Sequence, residues 1–304
     1  MPAGRFAPSP TGALHLGNLR TALVAWLAAR STGSRFVMRI EDLDPVRSSA
    51  EHEQRQLEDL AAIGLDWDGE VIRQSTRFGR HHQAIDQLTA AGLTYPCYCT
   101  RREIAEAVRA PQGASSELRY PGTCRSLTAE QRRAAESRGR PAALRLAAHG
   151  GVESFVDRLC GPTSGTVDDA VLRRNDGVPA YNLAVVVDDA EQGIAEVVRG
   201  DDLLGSTPTQ IHLARLLGLA IPDHLHVPLV LGPDGRRLAK RDGAVTLADR
   251  RSLGESVADV VSRLAVSLGL AGRGETVSAH DLVTRFDVDL LPRSAWVLPE
   301  AELR

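Results

Sequence analysis

The chain has 304 residues, 43% of them hydrophobic and 25% charged, with a formal net charge of −3. That length supports a sizeable core and two or three domains. The mild acidity excludes a uniformly basic nucleic-acid binder but leaves room for a local basic face, and the absence of any run of about 18 apolar residues argues against a membrane-spanning helix.

RFA predicts a short strand, and PSPTGALHLGN a turn-rich loop that opens a helix with His15, Gly17 and Asn18 in its first turn. Leu19, Leu23, Trp26 and Leu27 fall on one face of that helix. RFVMRIED reads as a buried strand ending in carboxylates. The next helix turns Leu57, Leu60 and Ile63 inward and stops at Gly64, and another, over 78–91, stops at Gly92. Strand–helix–strand order with glycines at the switches predicts a parallel α/β sheet. Residues 96–177 break this rhythm with all four cysteines, many arginines and several Gly/Pro turns, and read as an inserted small fold. Beyond them NLAVVVDDA and IAEVVRG read as strands. STPTQIHLARLLG reads as a helix capped by Thr207 with Pro208 at its first position. HVPLVLGPDG predicts a strand and turn, and 252–268 a helix through Val257, Val261, Leu264 and Leu268. The expected division is 1–95 and 178–245 for two halves of one α/β domain, 96–177 for the insertion and 246–304 for a short helical C-terminal region.

The N-terminal MPAGRFAPSP carries no apolar stretch of a secretory signal, so a cytoplasmic protein is expected, and its four cysteines favour metal binding over disulfides. Cys97, Cys99 and Cys124, three thiols within 28 residues, suit zinc, most simply as a structural ion. Three reduced buried cysteines, or a site that has lost its metal, are the alternatives. Cys160 stands alone as a core or surface thiol. His81 and His82, adjacent and so on different faces of a helix, read as surface residues. Asp42 and Asp44 read as capping groups or partners of Arg47. Arg101, Arg102, Arg125, Arg132 and Arg133 either meet RNA phosphates or form a solvated helix face.

Two stretches suggest phosphate chemistry. A helix N-terminus offers backbone N–H groups to an anion, Gly17 permits close approach, and His15 can hydrogen-bond a phosphate oxygen; a generic strand–helix turn is the alternative. In RRLAKRDGA, Lys240 is the chain's single lysine, since 35 of its 36 Lys and Arg residues are arginine. Lysine is a compact point charge and arginine a flat fork, so a phosphate that must meet one concentrated charge is a reason to keep a lysine there.

FAPSPTGALHLGN, RIEDLD and RRLAKR, in that order, resemble the three active-site stretches of class I aminoacyl-tRNA synthetases, with HLGN at the HIGH motif and RLAKR at KMSKS. RIEDLDPVRS, YPCYCTRREI, PAYNLAVVVDDA and VVRGDDLLGSTPTQ narrow the resemblance to glutamyl-tRNA synthetases and their truncated relatives, the glutamyl-Q tRNA(Asp) synthetases, from about residue 4 to 250. The resemblance implies a Rossmann-type catalytic domain that joins the glutamate α-carboxylate to the α-phosphate of ATP, with Mg²⁺ accompanying ATP and pyrophosphate leaving. It puts Arg5, Ala7, Ser9, Glu41, Tyr181 and Arg199 on glutamate-binding positions, and His15, Gly17, Asn18 and Lys240 on ATP, with His15 and Lys240 as the catalytic pair. It also makes Tyr120 the fourth zinc ligand, with Glu117 or water as alternatives. The residue chemistry suits these roles: Glu41 can receive an ammonium, Arg5 and Arg199 can each fork onto a carboxylate, and Tyr181 can add a hydroxyl.

The chain departs from the family pattern at Arg237, where KMSKS has its first lysine, and at Ala239, where it has its first serine, so the catalytic role there rests on Lys240. Only 64 residues follow Lys240, too few for a helical anticodon-binding region. The expectation is therefore a monomer that transfers glutamate to the queuosine base at the wobble position of tRNA(Asp). A shortened glutamyl-tRNA synthetase charging a tRNA 3′ end and a non-catalytic glutamate- and ATP-binding protein are the competing readings.

Overall fold

The computed structural model describes residues 1–100, 102–104, 119–238, 243 and 245–303. Strand β1 (Ala3–Phe6) leads through the proline-rich loop into helix α1 (Leu16–Ser31), and β2 (Arg35–Ile40) follows. Helix α2 (Ala50–Ala62) starts at Ser49, whose hydroxyl accepts the Glu51 N–H, and turns out at Gly64 with φ +86°. β3 (Ile72–Arg73) and helix α3 (Phe78–Ala90) come next, and α3 is ended by Gly92 at φ +71°. Both glycines stand in the left-handed region that closes helices, as the sequence pattern predicts.

β4 (Thr94–Cys97), helix α4 (Ala129–Glu136), β5 (Ala143–Leu146), β6 (Val152–Asp157), β7 (Gly161–Thr166) and β8 (Val171–Arg173) occupy the next stretch. Helix α5 (Tyr181–Gln192), β9 (Ile194–Gly200), helix α6 (Thr207–Leu217), β10 (Asp223–Val227) and β11 (Val230–Leu231) lead to the C-terminal helices α7 (Leu247–Ser252), α8 (Val257–Ser267) and α9 (Ala279–Val283), and then to β12 (Trp296–Val297).

The main sheet runs β3-β2-β1-β9-β10-β6-β7. All neighbours are parallel except the β6–β7 hairpin. Strand β6 pairs with β10 through His224 and Asp157, so residues within the 96–177 stretch extend the main sheet. β4, β5 and β8 form a separate antiparallel sheet. β11 and β12 pair in parallel, binding the last described segment to the loop after β10.

Several elements differ from their sequence-based expectation. NLAVVVDDA lies in α5, a helix rather than a strand. A short apolar run buried on most sides has no usable period, and tertiary packing against α6 overrides the strand preference of its three valines. The residue before α6 is Ser206; Thr207 is its first helical residue, its side chain wholly buried and hydrogen-bonded to Arg199. Helix α8 begins at Val257 behind a Ser256 capping box, separate from α7. α1 is buried nearly all round. It sits between the sheet and the C-terminal helices, so Trp26, Leu23, Leu264, Leu268 and Leu282 share one core. A second core joins α3, α5 and α6 through Ile85, Leu88, Leu183 and Leu213. No described helix is long and apolar enough to cross a membrane.

Candidate active site

Parallel strands end together, and a crevice at their carboxyl edge is where α/β sheets place ligands. Here Arg5 is next to last in β1, Arg199 next to last in β9, and Glu41 immediately follows β2. Because β1 lies between β2 and β9, these three side chains meet. They line a cavity of about 650 Å³ together with Ala7, Ser9, His15, Gly17, Asn18 and Tyr181. Every described residue expected to bind glutamate or ATP therefore faces one space. Lys240 lies outside the described residues, as do Ala239, Arg241, Arg101 and Glu117. The flanks of the Lys240 stretch are described: Leu238 N–H donates to the Val230 carbonyl at 3.1 Å, and Leu16 N–H to the Val245 carbonyl at 2.8 Å. The second bond ties that stretch to the start of α1.

One wall is a buried charge cluster. Arg5 donates to Asp189 through Nε (3.3 Å) and Nη2 (3.4 Å), and through Nη1 to the Val198 carbonyl (3.1 Å). Arg39 donates to the same carboxylate (2.7 Å) and to Gln192 (2.6 Å), with Glu41 farther away at 3.4 Å. Asp189 is thereby held below its ordinary range, mainly by Arg39 and then Arg5 against the cost of burial. Burial raises the Glu41 carboxyl, and Arg39 and Arg5 only partly offset this. Glu41 is thus a buried acid whose one ion pair, with Arg39 at 3.4 Å, is long, and it is suited to receiving a further cation.

The opposite wall is the start of α1. His15 is its N-cap, and its Nδ1 accepts the Asn18 N–H at 3.2 Å while Asn18 Oδ1 accepts the His15 N–H at 3.1 Å. An accepting Nδ1 puts the ring proton on Nε2. Burial, with Arg237 adding to it, lowers the pKa of His15 to about 4, so near neutrality it is an uncharged donor. A Cβ on Gly17 would stand 3.0 Å from the His15 ring and 3.3 Å from the Val230 side chain. At the rim Arg237 pairs with Asp202 at 2.6 Å.

In the second sheet region the three sulfurs of Cys97, Cys99 and Cys124 lie within 4.8 Å of one another. The Tyr120 phenol oxygen is 3.4 Å from the Cys97 sulfur and 3.5 Å from that of Cys99. Zn–S bonds of about 2.3 Å at tetrahedral angles put sulfurs about 3.8 Å apart, and Cys99 and Cys124 are 3.5 Å apart. This donor set fits a metal ion such as zinc. Of the basic residues nearby, Arg125 pairs with Asp169 at 2.9 Å, while Arg132 and Arg133 are exposed on α4.

Asp42 accepts from Ser75, and Asp44 accepts the Val46 N–H and pairs with Arg47 at 3.8 Å, both as expected. Cys160 is exposed. His81 is not a surface residue: it is fully buried and bonded to Asp188 at 3.0 Å. Asp189, Arg39, Asp157 and His226 were not singled out from sequence. The one visible signal was an acidic doublet, Asp188–Asp189, at the end of an apolar run.

A parallel sheet with a helix N-terminus and an acid–arginine wall at its carboxyl edge is an α/β cleft of the kind that holds ligands in enzymes. The family described as tRNA synthetases class I (E and Q), catalytic domain, matches residues 3–304, and the chain belongs to it, as a ligase of that class. It is 59% identical to the glutamyl-Q tRNA(Asp) synthetase of Nocardia farcinica, over 98% of this chain and 93% of that protein. It is 45% identical to a glutamate–tRNA ligase of a Synechococcus species, over 96% of this chain and 62% of that protein. A glutamate-tRNA synthetase structure from Elizabethkingia anophelis superposes with a TM-score of 0.83 at 27% identity, covering 99% of this chain and 69% of that one.

Proposed function

We propose that this enzyme activates L-glutamate with ATP and transfers it to the queuosine base of tRNA(Asp). The observation that carries the first half is the cavity: two buried arginines and an acid only loosely paired with Arg39 on one wall, a neutral histidine and the start of a helix on the other. Glutamate has two carboxylates and one ammonium, and the first wall offers two guanidiniums and one carboxylate. Arg5 and Arg199 take carboxylates, Glu41 takes the ammonium, Tyr181 adds its hydroxyl, and Ala7 and Ser9 close the loop over the ligand. The Nε2–H of His15, the Gly17 N–H and the Asn18 side-chain amide hold the phosphates. Attack of the α-carboxylate on the α-phosphorus then forms the mixed anhydride and expels pyrophosphate. Positioning and charge stabilisation dominate such a step, and Lys240 supplies a compact charge for the leaving group. Mg²⁺ accompanies ATP.

Cys97, Cys99, Cys124 and Tyr120 hold zinc, which when bound cross-links β4 to the 120–124 loop. Arg132 and Arg133 are free to meet RNA phosphates.

The acceptor is favoured by likeness: identity to the Nocardia farcinica protein exceeds that to the Synechococcus ligase. The test is charging with labelled glutamate of tRNA(Asp) with and without queuosine, and of tRNA(Glu). Label only on queuosine-containing tRNA(Asp) is expected. Equal labelling of both tRNA(Asp) forms, or labelling of tRNA(Glu), overturns the acceptor. Failure of glutamate-dependent ATP–pyrophosphate exchange without tRNA overturns the activation step.

A further inference from the structure

Arg199 is only 5% exposed, yet among the described residues no carboxylate forms an ion pair with it. All its hydrogen-bond partners are neutral. Nε donates to His226 Nε2 (3.0 Å), Nη1 to Gln210 Oε1 (2.7 Å), and Nη2 to Thr207 Oγ1 (2.8 Å) and the Leu203 carbonyl (3.3 Å). Arg5 and Arg39, a few residues away in the same wall, both rest on Asp189. A buried cation without a countercharge is costly, so the arrangement around Arg199 needs a reason.

One carboxylate reaches Arg199 through an imidazole. His226 Nδ1 is 2.6 Å from Asp157 Oδ2, and both side chains are fully buried. Asp157 accepts further N–H bonds from Leu159 (3.0 Å), Cys160 (2.8 Å) and His226 (3.1 Å). It is therefore an ionised acceptor, and Nδ1 must be the donor. Nε2 is then a lone pair, which accepts the Arg199 Nε–H. Thr207, 3.2 Å from Nε2, can accept from Arg199 and donate to the same ring nitrogen. The Gln210 amide is oriented in turn, because its Nε2 donates to Asn182 at 2.9 Å. Four of the five guanidinium N–H groups are thus fixed from behind. Arg199 also interacts with the Tyr181 hydroxyl, and both residues line the cavity.

We propose that Asp157 and His226 are positioning residues for substrate recognition: a carboxylate–imidazole relay that locks the Arg199 guanidinium while keeping its charge for an anionic ligand. A carboxylate bonded directly to Arg199 would quench the cation; one imidazole between them orients it and supplies only distant compensation. Strand β6, last but one in the main sheet, delivers Asp157 and so acts on the ligand wall two strands away. The inference rests on the reading that Arg199 receives a carboxylate of glutamate.

The test measures KM for glutamate and for ATP separately, by ATP–pyrophosphate exchange, in Arg199→Ala, His226→Leu and His226→Gln, with thermal melts to confirm folding. His226→Leu is expected to raise the glutamate KM by about tenfold or more and leave the ATP KM within about twofold. His226→Gln, which keeps an acceptor for the Arg199 Nε–H but loses the link to Asp157, is expected to recover part of that loss. If the leucine variant does not fold, the glutamine variant decides: a rise of about threefold or more in glutamate KM alone supports the relay. An unchanged glutamate KM in a folded His226 variant, or equal rises for both substrates, overturns it. Should Arg199→Ala itself bind glutamate normally, the substrate reading falls instead.

Discussion

Asp189→Asn removes one negative charge from the ligand wall and changes almost nothing in volume. Asp189 is the shared partner of Arg5 and Arg39, at 3.3 and 2.7 Å, with 8% of its side chain exposed. Removing one partner of a buried ion pair costs about 3–5 kcal/mol, because the other charge is left uncompensated. Two features move the estimate to the lower end. Arg5 keeps the Val198 carbonyl, and Arg39 keeps Gln192. Glu41, which the Asp189 charge now pushes toward protonation, becomes the remaining anion and its 3.4 Å pair with Arg39 tightens. A loss of about 3 kcal/mol, with a urea m-value of about 3 kcal/mol/M, lowers the unfolding midpoint by about 1 M. The same pull removes Glu41 from an incoming ammonium and frees Arg5 to swing, so the glutamate KM rises while the ATP KM does not. Urea melts followed by circular dichroism, paired with exchange kinetics, test both halves. A midpoint within about 0.2 M of the parent protein would refute the energetic reasoning. A normal glutamate KM in a clearly destabilised variant would separate the charge cluster from substrate binding.

Three further outcomes are expected. Lys240→Arg conserves charge in a chain otherwise built on arginine, and should slow ATP–pyrophosphate exchange by about 100-fold or more with an unchanged melt; near-normal exchange would make this lysine a compositional accident. Folding holds the His15 pKa at about 4 and that of His224 at about 3, both through burial first. The unfolded chain therefore binds more protons than the folded one below its histidine pKa of about 6.5, and stability should fall as pH drops from 6.5 toward 4, less steeply in His15→Gln. Asp59, raised to about 6 by burial, adds stability as pH falls over the same window and works the other way, so the histidine contribution is read as the difference between the parent protein and His15→Gln. Zinc released on thiol modification should be close to one equivalent per chain by colorimetric titration; it should vanish in Cys97→Ser and fall in affinity by about tenfold in Tyr120→Phe, with the melt of the main sheet little changed.

The sequence by itself determined the parts that are local. The glycine stops at Gly64 and Gly92, the turn-rich loop into α1, the thiol spacing and the acid after β2 are each written in a few adjacent residues, because turn geometry and helix ends depend on local φ and ψ. The motif order further supplied the residues that line the cavity, since parallel strands with right-handed crossovers bring their carboxyl ends to one edge. What only the tertiary structure decided is whatever depends on residues far apart in the chain. NLAVVVDDA became a helix because its valines are packed on several sides, which erases the period that separates strand from helix. His81, read as a surface residue because it and His82 are adjacent, is buried because Asp188, 107 residues later, meets it. Asp189 anchors Arg5 across 184 positions, and Asp157 reaches His226 across 69. A buried charge states its partner only when the chain has folded, so the residues that aim the arginines stay invisible in a sequence that displays the arginines themselves.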